Sequence, residues 1–183
     1  MGELRKPLPV KFILGVIARP DCLHLVNAAV EALGGADLIS EKMPFDKTDY
    51  YKEEMGDGLI RFWLSLNGLG DPEELPHLKL RTNELEREYS EGDRRKMNLD
   101  PGYITESNLV LASTKAYNHR IYLKEGIYAE VTLIYRKKTG YEPLPWTYPD
   151  YRTRLALDFF GEVRRLYREE LKKEMRKYAE KHG

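Results

Sequence analysis

Residues 93–135 read DRRKMNLDPGYITESNLVLASTKAYNHRIYLKEGIYAEVTLIY, and how this stretch divides into strands and turns decides the fold. Arg95 to Leu99, Asn108 to Thr114, Arg120 to Leu123 and Ile127 to Tyr135 are short, strand-length patterns bounded by turn residues. Asp100-Pro101-Gly102-Tyr103 has the composition of a type II turn, with Pro setting the first central φ and Gly taking the positive one. Lys124-Glu125-Gly126 predicts a hairpin turn. Strict alternation in the last strand puts Ile127, Ala129, Val131, Leu133 and Tyr135 on one face. Tyr128, Glu130, Thr132 and Ile134 fall on the other.

Working outward, Lys11 to Arg19 is a nearly continuous apolar run and predicts a strand buried on both faces. Asp21, after Pro20, is placed to cap a helix whose inward positions are Cys22, Val26, Ala29, Val30 and Leu33. A second strand falls within 36–45 and a third at 59–66. Asp71-Pro72-Glu73-Glu74 starts a second helix, with a kink or restart at Pro76 and an inward stripe of Leu75, Leu78, Thr82, Leu85 and Tyr89. The order strand, helix, strand, strand, helix, strand predicts an α+β fold with a ferredoxin-like β-α-β-β-α-β core over residues 8–103.

An antiparallel meander at 104–140 extends that sheet. A proline-punctuated crossing follows, anchored by Trp146 and Tyr148. A long amphipathic helix over 150–181 closes the single domain through Ala156, Phe160, Val163, Tyr167, Leu171, Met175 and Tyr178.

Composition limits the function classes. Lys+Arg and Asp+Glu both number 30, a balance that argues against a dedicated nucleic-acid coat. The one cysteine, Cys22, allows no intrachain disulfide and no cysteine zinc site. His24, His77 and His182 are scattered, so neither a metal nor a cofactor is expected. The apolar run Phe12 to Ala18 is too short to span a bilayer, and a cytoplasmic protein with no membrane partner is expected. A third of the residues are charged and glutamine is absent, matching the bias of proteins from hot environments. The acidic stretch 46–57, with Thr48 or Asp49 capping one short helical turn, lacks calcium-loop spacing and reads as a solvated loop.

Several words along the chain are specific: DYYKEEMG (Asp49 to Gly56), KLRTNELE (Lys79 to Glu86), NLDPGY (Asn98 to Tyr103), LVLASTK (Leu109 to Lys115), HRIYL (His119 to Leu123), GIYAEVTL (Gly126 to Leu133) and WTYPDY (Trp146 to Tyr151). In these the chain resembles the bacterial family known as domain of unknown function 4416. The resemblance implies no established activity and transfers no catalytic residue. Some relatives are described as GTP-binding, but this chain has neither a GxxxxGK[ST] loop nor an NKxD word.

The chemistry-bearing residues sit in the central stretch. Lys115, Arg120 and Arg95 suit the binding of a phosphorylated or otherwise anionic small molecule, with Asn98, Tyr103 and Glu130 as further contacts. His119 with Asp100 could then move a proton, which leaves open whether the protein is an enzyme. Blander readings stand beside these. Asp100 serves its turn, Glu130 points to solvent unless its face is covered, and Lys79, Asn83 and Glu86 form a polar helix face. Two alternatives are an RNA-binding module using Tyr103, Tyr122, Tyr128 and the basic helix, and a non-catalytic homodimer built on that helix. What separates them is whether Asp100, Lys115, His119, Arg120 and Glu130 converge on one concave pocket.

Overall fold

The computed structural model describes residues 2–46 and 51–182; Thr48 and Asp49, the expected caps of the acidic loop, lie outside them. The elements in order are β1 (Lys11–Ala18), α1 (Leu23–Ala32), β2 (Ala36–Ile39), β3 (Met43–Pro44), α2 (Lys52–Met55), β4 (Ile60–Leu66) and α3 (Leu75–Glu88). There follow β5 (Met97–Ile104), β6 (Asn108–Ser113), β7 (Ile121–Lys124), β8 (Ile127–Arg136), β9 (Gly140–Pro143) and α4 (Arg154–His182).

All these strands join one antiparallel sheet in the order β2-β4-β1-β5-β6-β8-β7, with β3 added beside β4 and β9 beside β8. Strands β3 and β9 are additions to the expected set. Helices α1 and α3 cover one face, packing Val26, Ala29, Val30 and Leu85 onto Leu14, Val16, Phe62, Leu64 and Leu99. Helix α4 covers the other face, packing Ala156, Phe160, Val163 and Tyr167 onto Ile13, Trp63, Leu109 and Leu133. This arrangement explains why β1 reads as continuously apolar: it is central, and both its faces are covered. The α4 stripe is buried as far as Leu171, while Met175 and Tyr178 are exposed.

Three local expectations are corrected. Asp21 is not a cap; it pairs with Arg19 at 2.6 and 2.9 Å, and a 3₁₀ turn at Pro20–Cys22 leads into α1. Asp100-Pro101-Gly102-Tyr103 is not a turn, because β5 runs straight through it, paired with β1 along its whole length. Gly102 is needed for close approach rather than for a positive φ: an added Cβ would run into the Val110 carbonyl of β6. Nor does β8 alternate strictly. Its register against β6 slips between Leu109 and Val110, so Leu133 and Tyr135 join the α4 side while Val131 stays on the α3 side. The crossing secures this bulge, because Trp146 Nε1 donates to the Val131 carbonyl at 2.8 Å and Thr147 Oγ1 to the Thr132 carbonyl at 2.5 Å.

Candidate functional site

The sheet is split at its centre. Strands β5 and β6 pair only where Gly102–Ile104 faces Leu109–Leu111, so the first part of β5 has no strand on that side. Its exposed backbone is met by side chains of α3. The Leu99 amide donates to Glu86 Oε1 at 2.6 Å, and Lys79 Nζ donates to the Leu99 carbonyl at 3.1 Å. Two residues on, along the same edge, Pro101 has no amide to satisfy. Lys79 and Glu86, expected with Asn83 to form a polar helix face, are therefore both buried; the correction comes from a strand edge that the helix must pair.

A cleft of about 440 Å³ opens at the split. Five cations (Arg61, Lys79, Arg95, Lys115 and Arg120) and four carboxylates (Glu86, Asp100, Glu130 and Asp150) line it, brought there by six separate segments of chain. Phe45, Tyr51 and Tyr148 add aromatic surface.

The floor is built on Gly15. Its missing side chain leaves room for Tyr151 and Arg61, whose Oη and Nη1 would lie 2.5 and 3.1 Å from an added Cβ. Tyr151 belongs to a 3₁₀ turn, Pro149–Arg152, started by Pro149. It stacks on Phe160 at 5.7 Å and meets Trp63 edge-on at 5.4 Å. Arg61 Nε donates to Asp150 Oδ2 at 2.6 Å, and the guanidinium lies over the Trp63 and Tyr151 rings at 5.3 and 5.1 Å. Burial opposes its charge, but Tyr151, Asp150 and Asp100 hold its pKa above the usual arginine value. Burial likewise pushes the Tyr151 phenol well above the ordinary tyrosine range. Arg61 Nη1 and Tyr151 Oη are buried without a hydrogen-bond partner.

On the β5 wall, Asp100 accepts from Asn98 Nδ2 at 2.7 Å, while Lys79 and Arg61 approach it only to 3.6 and 3.7 Å, too far for hydrogen bonds. Arg95 Nη1 reaches Asn98 Oδ1 at 3.1 Å and Glu86 Oε2 at 3.2 Å, and its Nε reaches Glu54 at 2.7 Å. Burial raises the Glu86 pKa, against the pull of Lys79, the Leu99 amide and Arg95.

On the β8 wall, Glu130 is 2% exposed. Its Oε2 accepts from Arg120 Nε and binds His119 Nε2, both at 2.8 Å, and its Oε1 accepts from Thr132 Oγ1 at 3.1 Å. Its face is thus covered, and Arg120 supplies its cationic partner. Arg120 Nη1 also reaches Ser113 Oγ at 2.7 Å and the Lys115 carbonyl at 2.9 Å.

Of the residues singled out from sequence, Arg95, Asn98, Asp100, Lys115, Arg120 and Glu130 line this cleft. His119 stands behind Glu130, stacked on Trp146 at 5.0 Å, and borders a separate surface depression. It shares no contact with Asp100. Tyr103 packs edge-on against Phe12 at 6.4 Å in the cluster under α3, away from the cleft. Arg61, Lys79, Glu86, Asp150 and Tyr151 were missed. Arg61 did leave a signal: an arginine inside LIRFWLSL, a run otherwise fit for a core, must find a partner.

Among the described residues no group of three or more His, Cys, Asp or Glu is placed to hold a metal ion. None of the described helices is long and apolar enough to cross a membrane. The family model for a domain of unknown function (DUF4416) matches residues 8–167, and the chain belongs to that family. No curated protein and no solved structure matches the chain.

Proposed function

We propose that this member of the family uses the β5–β6 cleft to bind a small molecule bearing an anionic group. One observation carries the reading: five cations and four carboxylates converge on a single concavity at a gap in the sheet. Buried ion pairs are a poor way to stabilise a fold, and their concentration in a cleft marks a site. The volume is within the range of small-molecule pockets. Arg61 Nη1 and Tyr151 Oη supply hydrogen-bonding capacity that the protein leaves unused.

The test is a thermal-shift screen of carboxylates and phosphates against wild type, Lys115→Ala and Tyr151→Phe. Lys115 is exposed at the cleft, so its loss leaves the fold standing. A ligand at a hundredfold excess over Kd stabilises by about 2.7 kcal/mol. Wild type should show such a rise and both variants a smaller one. Equal shifts in all three proteins, or none in any, would refute the reading.

For the fold we infer a ferredoxin-like split βαβ core spanning β1 to β5. The order β2-β4-β1-β5, with antiparallel neighbours and both helices on one face, supports it. Less supports RNA binding, because Tyr103 lies under α3 while Tyr122 and Tyr128 pair with each other elsewhere, at 5.3 Å.

A further inference from the structure

We infer that the ligand of this cleft is a monocarboxylate with a flat, apolar ring rather than a phosphorylated molecule. This narrows the proposed function and rests on it. Two independent features lead there, one electrostatic and one steric.

The electrostatic feature is that the deep cations are already matched. Arg61 lies 2.6 Å from Asp150, Lys79 lies 3.6 Å from Asp100, Arg95 lies 3.2 Å from Glu86, and Arg120 lies 2.8 Å from Glu130. A phosphate dianion would bring two negative charges beside four carboxylates, with Lys115, exposed at the mouth of the cleft, the one cation outside those four pairs. Phosphate sites show the opposite pattern, with backbone amides or unpaired cations gathered at one point. A carboxylate brings one charge and acceptor oxygens. The donors suited to it are those left over, Arg61 Nη1 and Tyr151 Oη, on side chains 4% and 1% exposed.

The steric feature is the aromatic surface. Phe45 and Tyr51 meet edge-to-face at 5.8 Å, backed by Arg61 over Phe45 and Arg95 over Tyr51. Tyr148, half-exposed, faces the same cleft. Rings held in this way offer flat faces and edges to another ring, a contact that a small hydrated anion cannot use. A carboxylate on the floor and a ring among these aromatics satisfy both features with one molecule.

The experiment is isothermal titration of the full chain with benzoate, phenylacetate, propionate and inorganic phosphate, repeated on Tyr148→Ala and Tyr151→Phe. The aromatic acids should bind about three- to tenfold more tightly than propionate. Phosphate should bind weakest. Tyr148→Ala should erase the advantage of the ring, and Tyr151→Phe should weaken all carboxylates about tenfold. Phosphate binding as tightly as benzoate, or propionate binding equally well, would overturn this inference while leaving an anion site in place. No binding of any probe would overturn both.

Discussion

Two clusters of buried charge sit on the same face of β1, and they differ in one respect. At the start of the strand, fully buried Lys11 reaches Asp37, Glu170 Oε2 at 2.9 Å and the Gly68 carbonyl at 3.2 Å, while Ser65 holds the other oxygen of Asp37. All three ammonium protons are used, and the Glu170 partner comes from α4, so this cluster fastens the long helix to the sheet. Further along, around Gly15, Arg61 and Asp100 are equally charged, but α4 does not seal them. A cleft opens there, and Nη1 of Arg61 and Oη of Tyr151 remain unused. Saturated buried charge serves the architecture; unsaturated buried charge beside a cleft supports the proposed site. The difference lies in what covers each end of the strand.

The largest effect should come from Arg61→Leu, which leaves Asp150, 4% exposed, without its guanidinium. Denaturant unfolding should show a loss of about 3–5 kcal/mol. A loss below 1 kcal/mol would mean that Asp150 finds another partner. Lys11→Met should cost less, about 2–3 kcal/mol, because Asp37 and Glu170 are each 23% exposed and can regain water. It should leave ligand affinity unchanged; a tenfold loss of affinity would erase the distinction between the two clusters.

Glu86 offers a pH test. Its folded pKa is raised, so the folded chain holds the proton more tightly than the unfolded one. The stability this gives is fully present below the unfolded carboxylate value and is lost as pH rises through the folded value. The stability of wild type relative to Glu86→Gln should therefore fall from about pH 4 upward. A difference that is flat or rises with pH would show that Arg95 and the Leu99 amide outweigh burial. Smallest in stability, and most telling, is Tyr151→Phe. It removes an unsatisfied buried hydroxyl and keeps the ring, so unfolding free energy should stay within about 1 kcal/mol of wild type or rise.

Much of the architecture was legible because it follows from local pattern. The apolar run of β1, the Asp71-Pro72 start ahead of α3 and the α4 stripe each state their structure in neighbouring residues. The split in the sheet was not legible. Pro101-Gly102 reads as a turn in isolation, and only the partial pairing with β6 shows why a strand tolerates proline there. Half of the cleft was visible as a polar run between Arg95 and Glu130. The rest comes from Arg61, Lys79, Glu86 and Asp150, far away in the chain, whose roles depend on which strand edge and which turn reach the gap.

The most direct test is a map of backbone amide shifts on titrating the anion that gives the largest thermal shift. The amides of Asn98, Leu99, Ser113 and Tyr151 should move together with a single dissociation constant, while those of Lys11, Asp37 and Ser65 stay still. Movement centred on the Lys11 cluster, or a set of shifts scattered over the surface, would contradict a binding site at the split between β5 and β6.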